Sequence, residues 1–130
     1  MHLRNFHSCW MHEGLKPRKS RGTLGSPFTT VLRFMQLLLK SVDFAARAHR
    51  DQRRKGAAQE HYINHPIEGS RLSVECEPHT GEDIRCAAVL HDVIEDCGAT
   101  GDEIAACVND NIADIVRESS DDKALQGAER

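Results

Sequence analysis

Between Ile84 and Asp96 the chain reads Ile-Arg-Cys-Ala-Ala-Val-Leu-His-Asp-Val-Ile-Glu-Asp, an apolar run carrying four ionisable side chains within its last six positions. Val89, Leu90, Val93 and Ile94 leave little of such a helix for water, so the segment is expected inside a helical bundle. At about 100° per residue, His91 and Glu95 fall about 40° apart and Asp92 about 100° from His91, with Asp96 one turn above Asp92. Groups like these left unpaired in a core cost on the order of several kcal/mol, and they are normally paired or bound to a metal. Three carboxylates in the C-terminal half of a helix also oppose its macrodipole, which favours cations there. A divalent cation would reverse both penalties. The plainer alternative is a solvated helix end with ordinary surface acids.

A second clue lies upstream, in Tyr62-Ile63-Asn64-His65-Pro66. Proline pushes the residue before it toward an extended conformation, which lets His65 project across a helix start. Read alone, His65 is either a ligand or a capping or core histidine.

The remaining pattern supplies helices to enclose the run. Val31, Met35, Leu38, Leu39, Val42, Ala45, Ala46 and His49 fall at helical spacing, predicting a first helix to about Arg50 whose basic end includes Arg53, Arg54 and Lys55. Residues 56–64 read as a loop, and Pro66 opens a second helix to about Glu75. Thr80 with Asp83 resembles a capping box for a third helix reaching Cys97, with Gly98 past its end. Thr100 with Glu103 repeats the box for a fourth through about Val108, and Ile112 to Glu118 forms a fifth, after which the sequence turns polar. No strand alternation occurs, and aromatic residues are only 5% of the chain. The expected class is all-α.

Charge divides the sequence. Residues 1–40 carry +6 and residues 41–130 carry −9, for a net −3. Residues 1–30 are read as a disordered basic extension and 31–130 as the folded domain. The extension admits two sharper readings: an organelle transit peptide, or a metal knot from His2, His7, Cys9 and His12. The small net charge and the acidic helical body argue against nucleic-acid and membrane partners. Five cysteines (9, 76, 86, 97 and 107) with no C-x-x-C pair suit a reducing compartment. The expected location is cytoplasmic, or mitochondrial if the extension is a transit peptide.

Taken together, the residues carry a resemblance. Asp43-Phe44-Ala45-Ala46-Arg47, Gln52-Arg53-Arg54-Lys55, Tyr62-Ile63-Asn64-His65-Pro66-Ile67, Leu90-His91-Asp92-Val93-Ile94-Glu95-Asp96, Thr100-x-Asp102-Glu103 and Asp121-Asp122-Lys123 follow one another in family order. The stretch from about Ser41 to Arg130 resembles the HD phosphohydrolase superfamily. Within it, the likeness is to RelA/SpoT-type hydrolases and especially the small metazoan SpoT homologues. The resemblance implies an all-helical HD-domain bundle that removes the 3′-diphosphate from guanosine 3′,5′-bis(diphosphate) with one Mn²⁺. It implies His65, His91 and Asp92 as metal ligands, and Glu95 and Asp96 as the acids that orient or deprotonate water. Arg54 and Lys55 would meet substrate phosphates, with Tyr62 and Asn64 lining the pocket. A mixed nitrogen and oxygen set suits Mn²⁺ and does not exclude Zn²⁺ or Fe²⁺.

The sequence departs from that pattern in places. No counterpart of the family's fourth ligand, an aspartate in a Leu-Ala-Asp-Lys-type segment, occurs before Arg130. The bundle is therefore expected to be incomplete at its C-terminus, with apolar faces of the first and third helices partly uncovered. Glu60 sets a negative charge near the expected anionic substrate. The alternatives are a catalytically impaired remnant that binds metal or nucleotide without turnover, and a hydrolase of another nucleotide such as NADPH.

Overall fold

The computed structural model describes residues 26–128. The readings of the basic extension up to residue 25, its metal knot and its transit function lie outside the described residues. Six helices follow one another: α1 (Pro27–Ala48), α2 (Asn64–Cys76), α3 (Glu82–Leu90), α4 (Val93–Cys97), α5 (Gly101–Cys107) and α6 (Asp110–Ala128). Among the described residues there is no strand, only an isolated antiparallel bridge between Arg53 and His61. The all-α class expected from the sequence is what the chain adopts.

α3 is the axis of the bundle, with α1, α2 and α6 packed around it. Its Cys86, Ala87, Val89 and Leu90 meet Phe44 and Ala45 of α1, Val93 of α4, Ile104 of α5, and Ile112, Ala113 and Val116 of α6 in one buried cluster. Pro27 sits in the first turn of α1, where a missing N–H costs nothing, so α1 starts before Val31. The expected uncovered apolar surface is present: Phe28, Val31, Leu32, Met35 and Leu39 on α1 and Ile84 on α3 are exposed, as are Ile67, Leu72 and Val74 on α2.

Several boundaries correct the sequence reading. The third helix is not continuous to Cys97. It stops at Leu90, the chain turns at His91 and Asp92, and α4 restarts at Val93. His91 Nδ1 bonds the Ala88 carbonyl at 2.7 Å, the carbonyl that in an unbroken helix accepts from the Asp92 N–H. Gly98, at φ +67°, then closes α4 as expected, its N–H bonding Ile94 and Ala99 N–H bonding Val93. Thr80 caps nothing: Gly81 is the N-cap of α3 and no side chain caps it. The Thr100–Glu103 box is complete in both directions. α6 runs on to Ala128 through the polar stretch expected to lie outside a helix. The Asp121-Asp122-Lys123 motif falls in that helix, and its side chains lie outside the described ones.

Two substitutions test this packing. Leu90→Ala should cost about 2–5 kcal/mol in urea unfolding, because Leu90 is fully buried at the axis. Thr100→Ala should cost about 1 kcal/mol by removing one cap.

Candidate metal centre

The break between α3 and α4 faces the first turn of α2, and there three side chains converge. One ligand atom each from His65, His91 and Asp92 lies within 4.8 Å of the others. His91 Nε2 is 2.8 Å from Asp92 Oδ2, and His65 Nε2 is 3.9 Å from the same oxygen. The two imidazole rings meet edge to face with centroids 5.7 Å apart. Asp92 is buried while both histidines are half-buried, so the group opens to one side.

His65 reaches this place differently from the sequence expectation. It is helical, the second residue of α2, not extended before Pro66. The first-turn N–H groups of a helix have no partner inside it, so a proline at the third position forfeits no helical bond. The conformational bias it imposes on His65 yields to the turn, where His65 N–H bonds the Tyr62 carbonyl at 2.9 Å.

Hydrogen bonding fixes what His91 offers. A carbonyl only accepts, so Nδ1 carries the proton it gives Ala88. Nε2 of a neutral ring is then a lone pair, set 2.8 Å from a carboxylate oxygen. That approach is repulsive unless a cation or a second ring proton stands between them. A divalent ion suits this donor set, since imidazole nitrogen oriented by a carbonyl and a carboxylate held by other donors are common metal ligands.

An arm between α1 and α2 braces the group. Residues 52–62 fold back on themselves: Tyr62 N–H bonds the Gln52 carbonyl at 3.0 Å and Arg54 N–H the Glu60 carbonyl at 2.9 Å. Both ends of the arm then reach the α3–α4 region. Tyr62 Oη donates to Asp92 Oδ2 at 2.7 Å, and Gln52 Nε2 donates to Asp96 Oδ2 at 2.9 Å. Burial, then the Asp92 hydrogen bond and the charges of Asp92 and Asp96, push the Tyr62 phenol well above its ordinary range. It therefore stays a donor at neutral pH.

His49 lies beneath the arm, fully buried at the end of α1. Because the Gln52 amide nitrogen is committed to Asp96, its oxygen accepts from His49 Nδ1, 2.6 Å away. The His49 ring packs on Tyr62 with centroids 4.7 Å apart, and Cys97 Sγ lies 3.2 Å from His49 Nδ1. Burial first, then Asp96 and Asp92, push the Cys97 thiol up to about 11.

The other expected site residues divide. Asp96 is tied to the centre through Gln52, and Tyr62 directly. Glu95 is exposed on the short α4, and Asn64 is exposed as the first residue of α2. Arg54 and Lys55 are exposed on the arm and are not on a helix end, because α1 stops at Ala48 and Gln52 N–H turns back on the His49 carbonyl. The bracing roles of His49, Gln52 and Cys97 were missed. One signal was present: a histidine occupies a core position in the apolar period of α1, and a polar ring there demands a buried partner.

Comparison with known proteins fits this geometry. Residues 41–130 match the HD domain family. The chain is 42% identical over 93 residues to the human guanosine-3′,5′-bis(diphosphate) 3′-pyrophosphohydrolase MESH1, and 40% identical over 94 residues to that of Danio rerio. Each alignment covers 72% of this chain and 52% of the relative, so the chain spans about half the length of the curated relatives it matches. Among solved structures, a metazoan orthologue of SpoT, described as hydrolysing ppGpp and playing a role in starvation responses, superposes with a TM-score of 0.60. It is 32% identical, over 75% of this chain and 50% of that one. Among the described residues no helix is long and apolar enough to cross a membrane.

Cys97 gives a direct check on the buried arrangement. With its thiol near 11, only about one part in a thousand is thiolate at pH 8. Iodoacetamide followed by peptide mass spectrometry should label the exposed Cys76 well before Cys97.

Proposed function

The chain belongs to the HD-domain family, and on that premise we propose that it is a metal-dependent phosphohydrolase acting on guanosine 3′,5′-bis(diphosphate). The products are GDP and pyrophosphate. The observation that carries this reading is the convergence of His65, His91 and Asp92 on one point. The comparison proteins named for this hydrolysis supply its substrate. Within that reading the resident ion is Mn²⁺, for which a mixed imidazole and carboxylate set is suited; Zn²⁺ and Fe²⁺ fit the same donors.

His65, His91 and Asp92 hold the ion, which when bound supplies Lewis-acid polarisation of a phosphoryl oxygen. Tyr62 and the Ala88 carbonyl fix two of those ligands, Asp92 by donation and His91 by acceptance. Asp96, oriented by Gln52, or its neighbour Glu95 takes the proton of the attacking water as the water oxygen bonds to phosphorus and the P–O3′ bond breaks, and the proton passes on to the departing 3′-oxygen. Arg54 and Lys55, on the exposed arm, meet the phosphates with charge-assisted hydrogen bonds. Tyr62 and Asn64 line the nucleotide side. Because Tyr62 and Gln52 clip the arm to the centre, substrate held by Arg54 and Lys55 is held in register with the acids.

A second reading has its own support. Three ligand atoms gather among the described residues, and three protein ligands hold a metal with open positions. Binding of metal or nucleotide without turnover is the activity such a set supports by itself.

Purified chain incubated with Mn²⁺ and guanosine 3′,5′-bis(diphosphate) should release GDP and pyrophosphate, resolved by anion-exchange chromatography. Changing Glu95 and Asp96 together to Ala should abolish the products while leaving the fold intact by circular dichroism. A folded, Mn²⁺-loaded chain that makes no product favours the second reading. His91→Ala and Asp92→Ala should each weaken Mn²⁺ binding by about tenfold or more in calorimetry, and Tyr62→Phe by a smaller factor.

A further inference from the structure

α1 carries two apolar faces, and the fold uses one. Phe34, Leu37, Leu38, Val42, Phe44, Ala45 and Ala48 turn to the core. On the other side, Phe28, Leu32, Met35 and Leu39 recur at steps of four, three and four residues. That spacing is the 3.5-residue period of a coiled-coil seam. All four members are open to solvent: Phe28 is 76% exposed, Leu32 47%, Met35 51% and Leu39 66%, with Val31 beside them at 54%. The exposed part precedes Ser41, where the match to the HD family begins.

We propose that this seam pairs with the same seam of a second copy, making the chain a two-fold dimer through α1. Three observations select that occupant. First, the positions flanking the seam are Thr29 and Gln36 on one side and Val31 and Leu38 on the other, all uncharged. A second copy thus meets no like charge, while Arg33 and Lys40 lie about 100° round from Leu32 and Leu39. Second, the exposed side chains offer about 500 Å² per copy, hence about 1,000 Å² over both, the size at which specific interfaces begin. Third, the pattern is self-complementary when the helices run antiparallel. Phe28 then meets Leu39 of the second copy, and Leu32 meets Met35. The buried residues of α1, Ser41, Phe44 and Ala45, all belong to its second half. Antiparallel pairing therefore sets the larger part of each folded body toward the opposite end of the pair.

Sedimentation equilibrium of the full 130-residue chain tests this. The expected result is a reversible dimer in the micromolar range. Leu32→Glu/Leu39→Glu should raise its Kd by about tenfold or more, with circular dichroism and metal binding unchanged; Leu32→Ala/Leu39→Ala gives a milder version of the same shift. Ile67→Glu/Val74→Glu, on the exposed face of α2, should leave the dimer as it was. Antiparallel pairing brings residue 29 beside residue 36 of the second copy, so Thr29→Glu/Gln36→Lys should dimerise several-fold more tightly than Thr29→Glu/Gln36→Glu. A chain that stays monomeric at about 100 μM, its seam free for some other helix, overturns the proposal. So does a dimer indifferent to charges at 32 and 39. Equal Kd values for the two charge pairs overturn the antiparallel arrangement.

Discussion

A carboxylate out of water needs compensation, and three groups gather at Asp92. Tyr62 donates from the arm, while His91 and His65 bring ring nitrogens from the helix break and from α2. Each comes from a different stretch of chain, so satisfying one buried oxygen fixes the relative positions of α2, α3, α4 and the arm. An isolated buried carboxylate is among the costliest groups a core can hold. The arrangement is therefore asymmetric: removing the Tyr62 hydroxyl takes a donor from a buried carboxylate, whereas a cation among His65, His91 and Asp92 would let all three act as ligands.

The same demand explains why the helix breaks where it does. A continuous α3–α4 helix would commit the Ala88 carbonyl to the backbone ladder. In the fold His91 takes it with Nδ1, turning Nε2 toward Asp92. α4 is only five residues long and is closed at once by Gly98. Its brevity brings Asp96 back to Gln52 of the arm, and Cys97 against His49. Tyr62, Gln52, His49 and Cys97 thus form one continuous polar and aromatic layer between the centre and the end of α1. Such a layer rigidifies a site because each member's partner is itself fixed.

What could be read from the sequence followed the strength of its periodicity. The buried axis from Cys86 to Leu90 and the Thr100–Glu103 cap were legible, since apolar spacing and capping chemistry are local signals. The gathering of His65, His91 and Asp92 was expected through the family resemblance; angular spacing along one helix showed only that His91, Asp92 and Glu95 share an edge. The break at His91 was not legible, because its cause is a side chain taking a backbone acceptor within an otherwise regular helix. Nor was the arm. The basic run Arg53-Arg54-Lys55 suits a helix C-terminus by the dipole argument, yet a long-range bond from Gln52 to Asp96, 44 residues away, accompanies the early turn at Ala48. Helix-period reasoning carries no information about such partners.

The two faces of α1 express a division of labour along one helix. From Ser41 onward its buried residues belong to the packing that positions the candidate metal centre: Phe44 and Ala45 lie against α3, and His49 lies beneath Tyr62. Before Ser41 only Phe34, Leu37 and Leu38 face that core, while Phe28, Val31, Leu32, Met35 and Leu39 stay exposed. A folded domain gains stability from anything that binds its folded form, and self-association acts by mass action in that way. Pairing through the first half of α1 would couple that gain to the helix that ends at His49. The rigidity of the arm, and through Gln52 the setting of Asp96, would then rest partly on contacts made at the far end of the same helix.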